Sequence, residues 1–206
     1  MSDSKTLPLK ILLIATFVAL VMSGINPYDR ATWWLEVAPV LIAVPILIAT
    51  YKRYPLTLLL YALLFLHGLI LILGGHYTYA RVPLGFWMQD VFDFSRNNYD
   101  RIGHFAQGFV PAILVREILI RSSPVGHSRW LFILVTSVCL AISAFYELIE
   151  WWVAVIAGGG AQQFLGTQGD VWDTQWDMFL ALSGAIIAQL TLGRYHDKQI
   201  RELGSE

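Results

Sequence analysis

Long apolar runs separated by short polar breaks set the pattern of this chain. A helix that crosses a bilayer needs about 20 mostly apolar residues. Six runs approach or meet that length and predict spanning helices over 7–24, 34–50, 56–73, 102–120, 130–155 and 176–192. The expected fold is all-α, a polytopic membrane helix bundle of about six transmembrane helices, with residues 1–206 forming a single integral membrane domain. The second run carries Pro39 and Pro45, which predicts a kink that a membrane helix tolerates. The fourth is interrupted by His104, Arg116 and Glu117. Residues 74–100 are long for a simple connection. They predict an interfacial helical turn over 85–94, with Phe86, Trp87, Val91 and Phe94 toward lipid.

Composition agrees with this pattern. The chain has 206 residues, 56% hydrophobic and 14% charged, with a mean hydropathy of +0.57. A soluble domain averages about 45–50% apolar and about 25% charged. The net charge is −1 and no Lys/Arg block occurs, so no nucleic-acid partner is expected. The lone cysteine, Cys139, lies in an apolar run, which excludes an intrachain disulfide and suggests a packing residue. The first run, with Lys5 and Lys10 before its apolar centre and Val21-Met22-Ser23 near its end, also has the outline of a cleaved signal peptide. An uncleaved first helix fits the distribution of charge better.

That distribution gives an orientation. Lys and Arg favour cytoplasmic connections. With six spans, ten of the fourteen fall on the side of the termini and four (Arg30, Arg81, Arg96, Arg101) on the other. Both termini are therefore expected in the cytoplasm. Ten of the fifteen acids collect on the opposite, outer side, among them Asp29, Glu36, Asp100, Glu147, Glu150, Asp170, Asp173 and Asp177. Acids do little to set topology, so this enrichment is a separate observation. It points to chemistry on the outer face.

Three polar pairs stand at the outer ends of the last three spans. Asp100 and His104 are four apart at the start of the fourth, Glu147 and Glu150 three apart near the end of the fifth, and Asp173 and Asp177 four apart at the start of the sixth. Residues at these spacings share a helix face. If the three helices pack together, the pairs meet at one depth. Several carboxylates around one imidazole cannot all be charged without a cation or bound protons. A set of this composition suits Mg, Mn, Ca or Zn. The candidate catalytic residues are His104, Glu147, Glu150 and Asp177; Glu147, Glu150, Asp173 and Asp177 are candidate ligands of a divalent cation. Asp100, Arg101 and Trp151 are candidate substrate contacts. Taken singly, each polar residue also has a structural reading: Asp100 and Asp173 as helix caps, His104 as a core histidine. Most of the eight tryptophans fall at helix ends, as an aromatic belt requires. His67 and His76 lack an acid at helical spacing and read as structural; His127 and His196 read as solvated in the cytoplasm. The Gly-rich segment over 158–170, GGGAQQFLGTQGD, reads as a flexible outer loop that could cover the site.

The stretches YDRIGHFAQGFVPA, AFYELIEWW and LGTQGDVWDTQWDM resemble the YjdF-type bacterial inner-membrane proteins, a family defined as a domain of unknown function. The resemblance runs through most of the chain. It implies a multi-pass protein of the bacterial inner membrane, and no reaction. More distantly, the same three helix ends resemble the VanZ-like membrane proteins associated with teicoplanin resistance. Asp100, Arg101 (for Lys), His104 and Phe105 stand for the first element of that pattern. Glu147 stands for the second, with Glu150 replacing its Gln. Asp177 and Gly184 stand for the third, whose Asn is missing.

Two functions follow from the residues. One is an outward-facing membrane enzyme or binding protein acting on a lipid-linked or envelope substrate, with a divalent cation as its candidate cofactor and membrane lipid as its partner. The other is a small transporter coupled to protons or cations. A structural or assembly protein without chemistry is the third reading.

Overall fold

The computed structural model describes residues 3–157 and 167–204. Among them are seven α-helices: α1 (Asp3–Ser23), α2 (Arg30–Thr50), α3 (Leu58–Tyr77), α4 (Pro83–Phe92), α5 (Tyr99–Ser122), α6 (Arg129–Ala157) and α7 (Asp173–Gly204). A 3-10 turn over Tyr79–Arg81 precedes α4. All except α4 are long and apolar enough to cross a membrane, so the six-span bundle is present. The helix α4 fills the long connection, and Phe86, Trp87 and Val91 are exposed on it; Phe94, also exposed, lies just past its end. The helix α2 runs unbroken through Pro39 and Pro45.

Capping fixes where α2 and α3 begin. Asp29 accepts a hydrogen bond from the Thr32 amide at 2.7 Å, and Thr57 Oγ1 accepts one from the Leu60 amide at 3.3 Å. Each cap satisfies a backbone donor that the first turn leaves unpaired. Most large apolar side chains, Phe17, Ile133 and Leu190 among them, point outward, as a lipid-facing surface requires.

The helix α5 is the axis of the bundle. Half of its span is buried, against 6% of the α1 span. Its closest neighbour is α7. A Cβ placed on Gly108 would lie 1.8 Å from the Ala181 carbonyl oxygen, and one on Gly184 would lie 2.3 Å from the Phe105 carbonyl oxygen. Only glycine lets the two backbones approach this closely. Ala112, Ala181, Ala185 and Ala188 continue the contact, all fully buried. Small residues at a helix crossing are the usual route to tight packing in lipid, where no hydrophobic force drives helices together.

With six spans, the starts of α2, α5 and α7 and the end of α6 share one end of the bundle, opposite the chain termini. The terminal end holds Arg116 and Glu117, two of the three residues that interrupt the fourth apolar run. Glu117 is fully buried, and every oxygen is engaged: Oε2 meets Thr57 Oγ1 at 2.8 Å and His196 Nε2 at 2.9 Å, and Oε1 accepts from Arg121 at 2.6 Å. The Thr57 amide adds longer contacts to both oxygens. Arg116 pairs with Asp197 at 2.7 Å and reaches His196 Nδ1 at 3.3 Å. This corrects the expectation of a solvated His196, which is fully buried. The helix α7 continues to Gly204, well past its apolar run, and carries His196 back against the end of α5.

Candidate functional site

The three polar pairs meet at the opposite end. His104 is their centre. Its Nε2 lies 3.4 Å from Asp100 Oδ1 and 3.8 Å from Asp177 Oδ2, and its Nδ1 lies 3.0 Å from Gln107 Oε1 and 4.0 Å from Glu147 Oε1. Asp100 and His104 stack one turn apart because α5 begins at Tyr99, early enough to place both on one face. Asp177 reaches them because Gly108 and Gly184 let α7 lie directly on α5. Asp100, His104, Glu147 and Asp177 are all buried.

Two geometries for a cation exist among the described residues. Asp100, His104 and Asp177 each offer a ligand atom within 4.8 Å of the others, and so do His104, Glu147 and Glu150. In the tautomer whose Nδ1 donates to Gln107, the Nε2 lone pair of His104 faces Asp100 and Asp177. A second hydrogen bond that fixes the tautomer in this way is common behind metal-bound imidazoles. Glu147 Oε1 and Asp177 Oδ1 are buried without a hydrogen-bond partner. Buried polar atoms are ordinarily paired, so two orphaned carboxylate oxygens beside one imidazole need an explanation.

Asp173 stands apart from the candidate ligand sets. Arg96, in the connection before α5, hydrogen-bonds to its Oδ1 and to the Thr167 carbonyl. Asp173 lies in the first turn of α7, where a carboxylate also complements the helix dipole. Arg101 pairs with Asp170 at 3.2 Å and sits 5.2 Å from the centre of the Trp176 ring. Arg96 and Arg101 thus tie the segment before α7 to the start of α5. Trp151 is 59% exposed and does not line the cavity described next. Residues 158–166, most of the proposed covering loop, lie outside the described residues.

A cavity of about 220 Å³ opens beside His104, Asp100 and Glu150. It is also lined by His67 on α3, which the sequence reads as structural, and by residues that the sequence does not mark as a site: Glu36 on α2, Gln107 on α5, Tyr146 on α6 and Tyr79. Glu36 had counted only as one outer acid, and its one local signal is that it is an acid inside an apolar run. The Tyr79 ring is wedged between α3 and α5, where a Cβ on Gly74 or Gly103 would lie 2.4 or 2.8 Å from it. Burial, reinforced by the nearby Glu36 carboxylate, holds the Tyr79 hydroxyl well above its ordinary pKa. It therefore stays protonated, a hydrogen-bond donor facing Glu36. Counting Glu36, five carboxylates (with Asp100, Glu147, Glu150 and Asp177) surround one imidazole. Like charges this close force either protonation or a counter-cation.

Comparisons with known proteins agree with the membrane architecture. Residues 8–198 match the family model described as "Predicted membrane protein (DUF2238)". The chain is similar to the inner membrane protein YjdF of Escherichia coli (strain K12), 55% identical over 185 residues that cover 90% of this chain and 88% of that protein. No solved structure matches it. A multi-pass protein of the inner membrane is the identity that these matches and the six apolar helices share, and the chain belongs to the DUF2238 family of membrane proteins.

Proposed function

We propose that the protein is a membrane enzyme that holds a divalent cation among Asp100, His104 and Asp177 and acts at headgroup depth on a lipid-linked or envelope substrate. The observation that carries the reading is that two carboxylates of the buried cluster around His104, Glu147 and Asp177, each keep one buried oxygen without a hydrogen-bond partner. A protein that gained nothing from these acids would find apolar residues cheaper to bury. A cation at this place would polarise a phosphoryl or acyl oxygen, or lower the pKa of a bound water. The residues of the chain supply the rest. Gln107 orients the His104 ring, and the second carboxylate set, Glu147 and Glu150, stands ready to take or give a proton. Arg101, next to Asp100 in the first turn of α5, is the proposed anchor for an anionic group. The excess of Lys and Arg on the side of the termini supports cytoplasmic termini and an outward-facing site.

The transporter reading needs a polar path between the two ends. Between the His104 and Glu117 clusters, the α5–α7 contact consists of Gly108, Ala112, Ala181, Gly184, Ala185 and Ala188, packed backbone on backbone. That favours a one-sided site.

The test is thermal stability of the purified protein in detergent, first with chelator and then with Mg²⁺, Mn²⁺, Ca²⁺ and Zn²⁺ in turn. A ligand that binds only the folded state stabilises by RT ln(1 + [L]/Kd), about 2.7 kcal/mol at a hundredfold excess over Kd. The expected result is a rise specific to one or two cations that disappears in Asp177→Asn. No rise with any cation would overturn the metal-assisted reading.

A further inference from the structure

A second cavity adjoins the first. It has a volume of about 380 Å³ and runs between α1, α2 and α3. The two cavities meet at Pro39, His67 and Leu71, which line both. From Pro39 to Tyr51 the larger one follows α2 for about 18 Å at 1.5 Å per residue.

We infer that this cavity holds one hydrocarbon chain of a membrane lipid whose polar head lies in the His104 cavity. The inference rests on the proposal of a lipid-linked substrate and names where such a substrate would be gripped.

Three observations carry it. The first is the chemistry of the wall. Its middle is aliphatic and aromatic, with Leu13, Val40, Val44 and Phe65 among the lining residues. Thr16 donates its hydroxyl proton to the Leu12 carbonyl at 2.9 Å, and Lys10 and Tyr51 are among the few polar residues that also line the slot. Along its middle an occupant therefore meets chiefly apolar side chains. The second is continuity. An apolar slot that ends in a carboxylate–imidazole chamber matches a molecule with a long apolar part joined to a polar one. The third is His67 at the junction. Its Nε2 is buried without a hydrogen-bond partner. It is placed to meet the first polar atom of the occupant, where chain gives way to head. The volume falls within the ~300–1,000 Å³ of ordinary ligand sites.

The experiment is photolabelling in vesicles of phosphatidylethanolamine and phosphatidylglycerol, doped with a phosphatidylglycerol that carries a diazirine in one acyl chain. Labelled residues are mapped by peptide mass spectrometry. In the wild-type protein the label should concentrate on Val44, Phe65 and Gly68, above the level on the outward-facing Ile133 and Leu190 of the same molecule. In Ala43→Trp, which fills the cavity, labelling of Val44 and Phe65 should fall severalfold while Ile133 and Leu190 are unchanged. Equal labelling of cavity and outer positions in the wild type would overturn the inference, because ordinary boundary lipid then accounts for everything. Unchanged labelling in a folded Ala43→Trp would overturn it too. The wild-type map stands even if that variant does not fold. Cation-dependent stabilisation, measured in parallel, separates this result from the metal reading. Asp177→Asn should lose the cation response and keep cavity labelling, whereas Ala43→Trp should do the reverse. Cavity labelling without any cation response would leave the lipid site standing and remove the metal.

Discussion

The bundle carries two buried polar clusters, at opposite ends of the same pair of helices, and they are built on opposite terms. Around Glu117 both carboxylate oxygens have partners: Thr57, Arg121 and His196 surround it, and Arg116 and Asp197 extend the network. Positive and negative groups alternate. Around His104, acids outnumber bases, and oxygens of Glu147 and Asp177 face the interior unpaired. Both clusters occupy membrane helices, where a buried charge is expensive. The satisfied cluster holds helices in register. The unsatisfied one is held in place by the rest of the fold, and its unpaired atoms are what a ligand would use.

Breaking the satisfied cluster should have the largest effect on stability. Glu117→Ala removes one member and leaves His196, Arg121 and Thr57 without their shared acceptor. Removing one partner of a buried pair costs about 3–5 kcal/mol. The expected outcome is a large loss of thermal stability with the cation response intact in whatever protein remains folded. A mild loss would mean that the two clusters are not different in kind.

Next comes the contact that joins them. Gly108→Ala places a Cβ against the Ala181 carbonyl oxygen, and the backbones must separate. Overpacking of this sort costs about 1–3 kcal/mol. Because the shift also draws Asp177 away from His104, the variant should lose cation affinity as well as stability. Lost stability with unchanged cation affinity would show that the site does not depend on the α5–α7 spacing.

Asp177→Asn sharpens the contrast from the other side. It removes one negative charge from a crowded set, so stability without cation should be unchanged or higher by up to about 1 kcal/mol. The cation-dependent rise should vanish. A stability loss as large as that of Glu117→Ala would move Asp177 into the structural class.

The two clusters also differ in how far the sequence disclosed them. The His104 cluster was legible because each of its three pairs is local, at helical spacing, and a parity count of spans puts all three at one end. The Glu117 cluster was not. Glu117 and His196 are 79 positions apart, and neither has a nearby residue that names the other. Hydropathy places the end of the last span before His196, and α7 continues past it as a polar helix that brings His196 against the end of α5. Glu36 and Tyr79 escaped for a similar reason. Their place in the cavity depends on how α2 and the turn after α3 pack on α5, a tertiary fact with no period in the sequence.

The smallest expected effect concerns an acid at the same end as His104 that is fully explained by its backbone. Asp29 caps α2, and the hydrogen bond from the Thr32 amide holds its carboxyl below the usual carboxylate range. Its folded pKa is therefore lower than its unfolded one. The stabilisation is fully present above the unfolded value, about 3.9, and is lost as pH falls through the folded value. Asp29→Ala should cost about 1 kcal/mol near neutral pH. That difference from the wild type should shrink as pH is taken down through the carboxylate range, read as the gap between two detergent melting curves at each pH. The cation response of Asp29→Ala should match that of the wild type. If it did not, acids at this end would act as one field, and the boundary between structural and functional carboxylates would have to be drawn wider than the cluster around His104.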